Sequence, residues 1–504
     1  MNQDEILEVL EQVSAGNDVA ENEIELPRIF ITDTEVYRRL LRDEIDLITG
    51  GKGTGKSAMY RMITETPIAA DIAVLTATNP TGAPEFLALF RGNDSEERLR
   101  SIWVVYFASL LGNYVVDKYG ITSGVESEVS ELQEILQSLG LRKKVGPGPS
   151  LLARIRKATT VEGQLKAGLT GLNIGVGLKF DLGEDTDGHG QSTILNYPDF
   201  YSILRSSAEI LEANGDRVWI AMDRLDECFV RNSATERRAL RALLRASLNI
   251  SQALDYTSWV RLKIFLRTDL FSRFTEDGAF TNATHLRRGD ISWTFNSMAD
   301  LIGHRLTQSS ELFKSRVSDA SHLNNSKSTW DALLPDMGPK IRHTSQELCL
   351  WTCDGSGLYN PRNLITLINL SLNRARENQR RAISTGRASR SERPLVNFGE
   401  VNAAAGELAR RRFQDTVVNE FPEVQPLADK LANGPNEYIS KQELMLRVGG
   451  TANELPETTD TISLLLLSGL VGQTSSGGYR IPRLYRSALR TSRLNGDPSK
   501  KIGH

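Results

Sequence analysis

Hydrophobic and polar positions follow one order along the chain: an apolar run, a glycine-rich turn, a helical pattern, a long interruption, and further apolar runs separated by helical patterns. The apolar runs predict strands at residues 45–48, 72–76 and 218–222, and RLKIFLRTD predicts another that ends at residues 264–266. Strands that alternate with helices are typical of an α/β fold. We therefore predict an α/β domain with a parallel sheet.

The long interruption has a pattern of its own. Apolar residues recur at helical spacing between residues 96 and 156, and LNIGVGLKF then alternates apolar residues with glycine and polar residues. This order predicts helices followed by a half-buried hairpin strand. The next helix is expected to begin at Pro198 and end at Gly215, and Ser233 and Glu236 have the spacing of a capping box for the helix that follows. We therefore place a helical insert with a hairpin at about residues 92–195 of the α/β domain.

The C-terminal part of the chain is predicted to be largely helical. Asn360 and Pro361 are typical of the N-cap and first turn of a helix, PRNLITLINLSLNRA. Beyond an arginine-rich stretch, two helices, an apolar helix and a hairpin across QTSSGGYRI resemble a winged helix. The predicted domains are an acidic N-terminal segment (1–29), the α/β domain (30–310), a helical lid with an arginine-rich linker (311–395) and a winged-helix-like domain (396–504).

Composition and charge exclude several classes of protein. The 504 residues include 60 Lys and Arg against 63 Asp and Glu, a formal charge of −3, so a uniformly basic nucleic-acid coat is excluded. The apolar stretches 102–111 and 462–467 are shorter than the roughly 20 residues of a membrane-spanning helix, and acids occupy the N-terminus where a signal peptide carries Lys or Arg. Three cysteines are too few for a disulfide framework. We expect a cytoplasmic protein with no membrane partner.

A glycine-rich stretch follows the first predicted strand. It fits G-x-x-x-x-G-K-[ST] and leads directly into a helical pattern, the context that a phosphate-binding loop requires. Its backbone N–H groups and the start of the helix are expected to hold the phosphates of ATP. Lys56 is expected to bridge the β- and γ-phosphates, and the Ser57 hydroxyl to bind Mg²⁺. The predicted nucleotide-binding residues of the loop are Gly50, Gly51, Lys52, Gly53, Thr54, Gly55, Lys56, Ser57 and Ala58.

Acidic residues follow a second buried strand, VWIAMD. Asp223 stands at its carboxyl end and is predicted to hold Mg²⁺ together with Ser57. The next residue is Arg224, and Asp226 and Glu227 follow. One of these two acids is expected to orient or deprotonate the attacking water, and we prefer Glu227. The alternative is that both are ordinary acids at a helix start.

The strand in RLKIFLRTD places Arg267 at the same edge of the predicted sheet. Ligands of doubly wound sheets bind at the carboxyl ends of the strands. Arg267 is therefore expected to sense the γ-phosphate of ATP. The alternative is a salt bridge with a neighbouring acid at the strand end.

Four stretches in this order, GGKGTGKS, VWIAMDRLDE, KIFLRTDLF and NPRNLI, resemble the bacterial P-loop ATPases related to the STAND and KAP classes of the AAA+-like division. The resemblance covers about residues 30–489. It implies an ATP hydrolase that couples ATP binding to a conformational or assembly switch, and several members are associated with antiviral defence. It also implies that Arg267 occupies a sensor position and that Arg362 reaches the nucleotide from the helical lid. Arg224 departs from the Asp that is more common in the group, which favours slow hydrolysis.

An arginine-rich stretch, residues 374–393, contrasts with the acidic first 28 residues. Such a stretch either binds the phosphates of nucleic acid without reading its sequence, or is a solvated helix end with a linker. The third helix of the C-terminal domain, ETTDTISLLLLSG, carries acids and no Lys or Arg, which disfavours a helix that reads a DNA groove. The arginines of the stretch are Arg374, Arg376, Arg380, Arg381, Arg387, Arg390 and Arg393.

Two functions from different classes therefore remain open. The first is a Mg-ATP-dependent switch ATPase that forms a homo-oligomer or acts on a separate effector protein. The second is an ATP-dependent nucleic-acid-binding protein of the origin-recognition or regulator type, with the nucleic acid bound at residues 374–393.

Overall fold

The computed structural model describes residues 3–77, 95–120, 126–142, 198–225, 234–276, 285–319, 325–334, 344–386, 394–434, 438–448 and 455–490. The chain divides into two compact units. The sheet unit comprises Glu35–Gly51 and Met59–Ile291, and the helical unit comprises Met1–Thr34, Lys52–Ala58 and Ser292–His504.

The strands are β1 Leu47–Gly50, β2 Ile72–Thr76, β3 Arg217–Met222, β4 Val260–Arg267, β5 Arg288–Asp290, β6 Tyr438–Ile439, β7 Gly472–Gln473 and β8 Tyr479–Arg480. The first helices are α1 Gln3–Gln12, α2 Leu26–Ile29, α3 Glu35–Leu41, α4 Lys56–Glu65, α5 Glu96–Tyr119, α6 Glu126–Ser138, α7 Pro198–Ala213, α8 Ala234–Ala253 and α9 Thr268–Glu276. The remaining helices are α10 Phe295–Ser309, α11 Glu311–Asp319, α12 Asn325–Leu333, α13 Thr344–Trp351, α14 Pro361–Ser384, α15 Phe398–Arg412, α16 Gln425–Leu431, α17 Lys441–Val448, α18 Leu455–Leu467 and α19 Arg483–Arg486.

The sheet unit is built on parallel strands in the order β2-β3-β4-β1-β5. The predicted α/β fold with a parallel sheet is confirmed. β4 lies between β1 and β3, with Gly50 opposite Arg267 and Met222 opposite Ile264. β1 and most of β3 are buried, as in parallel sheets that helices cover on both faces. Because the strands are parallel, the residues that follow β1, β3 and β4 share one edge of the sheet.

The apolar stretch 102–111 belongs to a longer helix, which lies within the region 96–156 where the sequence predicts helices. Helix α5 has 24 residues, and by length and composition it could cross a membrane, but 72% of its apolar window is buried inside the structure. Trp103, Tyr106 and Phe107 are almost fully buried, and Trp103 Nε1 donates a hydrogen bond to the Ala239 carbonyl of α8 at 2.9 Å. A helix that is apolar on all sides is typical of a protein core. In this structure α5 is the core helix of the sheet unit.

A cluster of charges lies at the amino edge of the sheet. The Lys263 side chain on β4 is completely buried, and its ammonium contacts the Asp43 carboxylate at 2.5 Å and the Asp46 carboxylate at 2.8 Å. It also lies 4.4 Å from the centre of the Trp219 ring. Arg261 Nε donates to Asp43 at 2.9 Å. Burial raises the pKa of Asp43, but the charge of Lys263 and the hydrogen bonds from both cations outweigh burial and lower it below its ordinary value.

The helical unit joins the acidic N-terminus of the chain to its arginine-rich stretch. Arg376 on α14 donates hydrogen bonds to the carbonyls of Leu10 and Val13 at the end of α1. Arg380 pairs with Glu11 at 2.9 Å. The last carbonyls of a helix have no partner within the helix. Arg376 supplies donors for one of them, that of Leu10, and for the carbonyl of Val13 just after the helix. The charge gradient along the sequence is thus partly neutralised inside one folded unit.

The C-terminal part of the helical unit has the order α16, β6, α17, α18, β7, β8, α19. Its strands form an antiparallel sheet in the order β6-β8-β7, and a hairpin joins β7 to β8. Helices and a hairpin in this order agree with the pattern read from the sequence, and the winged-helix identity stays a prediction. Before α16, residues Phe413–Val418 form a π-helix.

Several expectations fall on residues that the structure leaves undescribed. The hairpin strand LNIGVGLKF and the capping residue Ser233 lie outside the described ranges. Two described strands are missing from the sequence prediction, the two-residue β6 and the three-residue β5. β5, with the sequence Arg-Gly-Asp, has no apolar run that would signal a strand. β5 pairs with β1, so the main-chain pairing rather than its side chains places it in the sheet.

Candidate nucleotide-binding site

The predicted phosphate-binding loop connects β1 to α4. β1 ends at Gly50 and α4 begins at Lys56, so the motif occupies a strand–turn–helix. Gly53 and Gly55 have positive φ angles of 77° and 102°. Glycine adopts this left-handed region without steric cost, and loops with such residues turn successive N–H groups toward one side. A Cβ atom at Gly55 would meet nothing within 4 Å. The loop therefore has the backbone form of an anion-binding turn.

Residues of the helical unit contact this loop. The Asn360 side chain caps α14 by accepting from Asn363 N at 3.3 Å, as the sequence predicts, and its Nδ2 donates to the Lys52 carbonyl at 2.9 Å. The Lys52 ammonium forms an ion pair with Glu420. Sequence reasoning missed Glu420, because nothing in the local pattern around it indicates a partner in the loop.

Asp223 lies directly after β3, at the carboxyl edge of the sheet unit, and only 6% of its surface is exposed. Tyr60 on α4 is close enough to feel its charge: burial, with a smaller contribution from the Asp223 carboxylate, raises the pKa of Tyr60 to about 12. A nearly buried carboxylate at a strand end suits an oxygen ligand of Mg²⁺. The two candidate bases, Asp226 and Glu227, lie outside the described residues.

Arg224, which follows Asp223, adopts a left-handed backbone with a φ angle of 61°. For residues other than glycine this conformation costs roughly 1–2 kcal/mol, because Cβ crowds the neighbouring carbonyl. The residue directly after Asp223 is therefore an arginine on a strained backbone. Such strain is frequently found at functional sites.

The strain at Arg224 can be measured with two variants that both remove the side chain. We expect Arg224→Gly to be more stable than Arg224→Ala by about 1 kcal/mol, because glycine has no Cβ to crowd the backbone. Thermal unfolding of the two purified proteins measures the difference. Equal stability of the two variants would show that the left-handed conformation is not held in solution.

At the end of β4, Arg267 makes the salt bridge that the sequence left open as the alternative to phosphate sensing. Its Nε and a terminal nitrogen each lie 3.0 Å from the Asp269 carboxylate. On β1, which lies between β4 and β5, the Thr49 hydroxyl donates to Asp290 and accepts from Arg288 Nε at 3.1 Å. The carboxyl edge of the sheet unit thus carries paired charges at the ends of β4 and β5.

Arg362, the residue expected to reach the nucleotide from the lid, lies in the first turn of α14. Its Nε donates to the Asp18 carbonyl at 3.2 Å. The Asp18 carboxylate in turn accepts from Thr366 at 2.8 Å and from Arg412 at 2.9 Å. The side chain of Arg362 is therefore held by the N-terminal segment, and its contact with a nucleotide stays a prediction.

The arginine-rich stretch is only partly described, because Arg387, Arg390 and Arg393 lie outside the described residues. Its first part belongs to α14, and Arg374 pairs with Glu407 on α15 at 2.9 Å. Together with the contacts of Arg376 and Arg380 to α1, this pair gives the stretch partners within the chain.

Metal ligands and reactive thiols are sparse in the described part of the chain. No group of three or more His, Cys, Asp or Glu that could hold a metal occurs among the described residues. Cys349 and Cys353 are buried, and burial raises the pKa of each thiol to about 12. A Mg²⁺ ion bound with nucleotide phosphates needs only one or two protein ligands, so the site predicted at Ser57 and Asp223 does not require such a group.

Comparison with known proteins gives distant matches. The chain matches no protein family model. It is 22% identical over 482 residues to a putative transposon gamma-delta 80.3 kDa protein of Escherichia coli K12, covering 92% of this chain. The match spans 61% of the length of that relative.

Two solved structures are similar over most of the chain. A Walker-type ATPase of Pyrococcus abyssi is 13% identical, with a TM-score of 0.38, over 91% of this chain and 96% of that one. The ORC2 protein of Aeropyrum pernix, solved in ADPNP and ADP complexes, is 12% identical, with a TM-score of 0.37, over 93% of this chain and 91% of that one. Both scores are low, and the fold assignment rests on the strand order and the strand–loop–helix of this chain.

Proposed function

We propose that this chain is a cytoplasmic, Mg-ATP-dependent P-loop ATPase that acts as a nucleotide-dependent conformational or assembly switch. The loop between β1 and α4 carries the proposal. It combines the complete motif with left-handed glycines at Gly53 and Gly55 and a helix that begins at Lys56. Backbone N–H groups and a helix N-terminus provide a ready site for phosphate groups, and Lys56 adds a positive charge.

The residues present suit Mg²⁺ as the companion ion. The Ser57 hydroxyl and the Asp223 carboxylate are oxygen ligands, the class that Mg²⁺ prefers, and phosphate oxygens and water complete its coordination. The bound ion would neutralise charge that develops on the transferred phosphate. Asp226 or Glu227 would orient the attacking water, with Glu227 preferred from the sequence.

Hydrolysis is expected to be slow relative to binding. Arg224 occupies the position next to Asp223 where an additional acid is more common among the related ATPases. An arginine cannot take a proton from water, because its guanidinium stays charged in proteins. Slow turnover suits a switch whose output depends on which nucleotide is bound.

Contacts within the helical unit support a switch. Asn360 connects the loop to α14, and the Lys52–Glu420 pair connects it to the segment before α16. A change in the loop therefore has a direct route to the C-terminal helices. We propose that the output is assembly into a homo-oligomer or contact with a separate effector protein. A place among the STAND and KAP classes, and a role in antiviral defence, rest on the sequence resemblance alone.

Mass photometry with ATP, with ADP and without nucleotide tests the assembly proposal. We expect the particle mass to change between the ATP and ADP samples, because a switch must distinguish the two nucleotides. A mass that stays the same in all three samples, although ATP binds, would leave contact with an effector as the output.

The nucleic-acid alternative gains no specific support from the structure. Arg374, Arg376 and Arg380 contact groups of the same chain, which leaves fewer charges for phosphates. A gel-shift assay at low salt, with and without ATP, separates the functions. A shift that weakens as salt rises would favour the alternative, because binding through phosphate contacts depends steeply on salt.

A further inference from the structure

The phosphate-binding loop is held through its carbonyls by residues of the helical unit that precede the helices α10 and α14 or begin α14. Three successive carbonyls of the loop accept hydrogen bonds from these residues. Asn360 Nδ2 donates to the Lys52 carbonyl at 2.9 Å, and the Arg362 backbone N–H donates to the Gly53 carbonyl at 3.3 Å. Trp293 Nε1 donates to the Thr54 carbonyl at 2.8 Å.

These hydrogen bonds to the carbonyls also affect the direction of the N–H groups of the loop. A phosphate-binding turn works by directing successive N–H groups into one concavity. Because each peptide plane carries its C=O roughly opposite its N–H, donors that hold the carbonyls outward also hold the N–H groups inward. The loop residue Thr54 is only 5% exposed, so its carbonyl has few water molecules as substitute partners.

Asn360 serves two functions at once. Its Oδ1 caps α14, and its Nδ2 holds the Lys52 carbonyl. A Cβ atom at Gly53 would lie 2.6 Å from Asn360 Oδ1 and 3.0 Å from Arg362 Cβ. The start of α14 therefore packs directly on the glycine of the loop, and the contact is steric as well as polar.

Lys52 contributes an ion pair to the contacts that hold the loop. Its side chain pairs with Glu420, and the two side chains are 37% and 21% exposed. An ammonium group paired with Glu420 adds a fourth contact between the loop and distant residues of the helical unit. Pairs with this exposure are worth about 1 kcal/mol or less, so Lys52 adds less to the arrangement than the hydrogen bonds of the buried carbonyl.

We propose that Asn360 and Trp293 are positioning residues of the phosphate site, which set the inward direction of the loop N–H groups without touching the nucleotide. The proposal rests on the proposed nucleotide-binding function. It adds that the affinity for ATP is determined partly by side chains far from the motif in the sequence, just before the helices α10 and α14.

The test uses substitutions that remove one donor and keep the rest of each side chain. Asn360→Asp keeps the capping oxygen but loses the N–H₂ group, and Trp293→Phe keeps an aromatic ring but loses Nε1–H. The matched controls are Asn397→Asp, at the N-cap of α15, and Trp330→Phe, which removes the hydrogen bond of Trp330 Nε1 to the Ala299 carbonyl. All four variants are made in the full chain.

Calorimetry with a non-hydrolysable ATP analogue and Mg²⁺ gives the first readout. We expect Asn360→Asp and Trp293→Phe each to weaken binding by about fivefold or more, the loss of one net hydrogen bond, and the controls to change it by less than about twofold. Thermal unfolding separates this effect from instability. Equal affinities of the test variants and their controls would overturn the proposal.

Hydrogen–deuterium exchange without nucleotide gives the second readout. The amides of residues 51–57 should exchange faster in Trp293→Phe than in Trp330→Phe. If the unsubstituted chain fails to bind ATP although this difference in exchange is present, the proposed function is wrong. The conclusion that Trp293 holds the loop in place is then retained. If ATP binds and neither readout separates the variants from their controls, the positioning role is wrong.

Discussion

Lys56→Ala should abolish measurable ATP binding, with an affinity loss of roughly 100-fold, because one charge-assisted contact is worth up to about 3 kcal/mol. Lys56 is the first residue of α4, directly after the loop whose N–H groups form the proposed phosphate site. Alanine is the best helix former, so the fold should be unaffected. Calorimetry with Mg²⁺ and a non-hydrolysable ATP analogue measures the loss.

The matched control for this prediction is Lys52→Ala, in the same loop. The Lys52 ammonium pairs with Glu420, and that pair is partly exposed. Its removal should weaken ATP binding only several-fold, within the range of about 1 kcal/mol for such pairs. A Lys56→Ala protein that is folded and binds ATP normally would refute the site, and equal losses in both variants would show that Lys52 also contacts phosphate.

Asp43→Asn should destabilise the sheet unit by about 3 kcal/mol, the lower end of the range for breaking a buried ion pair. The substitution leaves the completely buried Lys263 ammonium with Asp46 as its remaining carboxylate partner. Asparagine tolerates the positive φ angle of 56° at this position, so the change removes charge without adding backbone strain. Urea unfolding followed by Trp fluorescence measures the loss, because Trp219 lies against Lys263.

The comparison variant is Lys263→Met, which removes the buried cation instead of its partner. Asp43 keeps Arg261, so this change should cost less than about 1.5 kcal/mol. Equal costs of the two variants would contradict the assignment of the destabilisation to an uncompensated buried charge.

Lowering the pH should weaken the ion pair between Asp43 and Lys263. The folded protein lowers the pKa of Asp43 below its ordinary value of 3.8, so the ion pair contributes fully above that pH and its contribution is lost as the pH falls through the folded pKa. The stability difference between the unsubstituted chain and Asp43→Asn should therefore shrink below about pH 4. A difference that is constant down to pH 2 would exclude a role for the charge.

Much of the sheet unit could be predicted from the sequence because its strands are short apolar runs bounded by glycine or charge. Residues 72–76 coincide with β2, and Pro198 begins α7 as the turn chemistry requires. β5 could not be predicted, since its three residues carry no hydrophobic signal and depend on pairing with β1. The pairing of a strand with a distant one is a tertiary effect that local pattern does not contain.

The candidate site, too, could be predicted only where local sequence pattern carries the signal. The loop motif and Asp223 could be read from spacing and strand position, and the capping role of Asn360 from its place before Pro361. The second bond of Asn360, to the Lys52 carbonyl, could not be predicted, nor could the donor Trp293 or the partner Glu420. Each of these contacts joins residues more than 200 positions apart in the chain, and no local pattern reports them.

The crowding around Gly53 restricts which residue the motif can carry at that position in this chain. In its general form, G-x-x-x-x-G-K-[ST], the motif permits any residue at the fourth position. In this chain that position has a φ angle of 77° and the Asn360 Oδ1 atom 2.6 Å from an added Cβ, so glycine is strongly favoured. Chains built with the same contact should therefore carry G-x-x-G-x-G-K-[ST] together with a distant Asn-Pro-Arg, and either half without the other would mark a different arrangement of the loop.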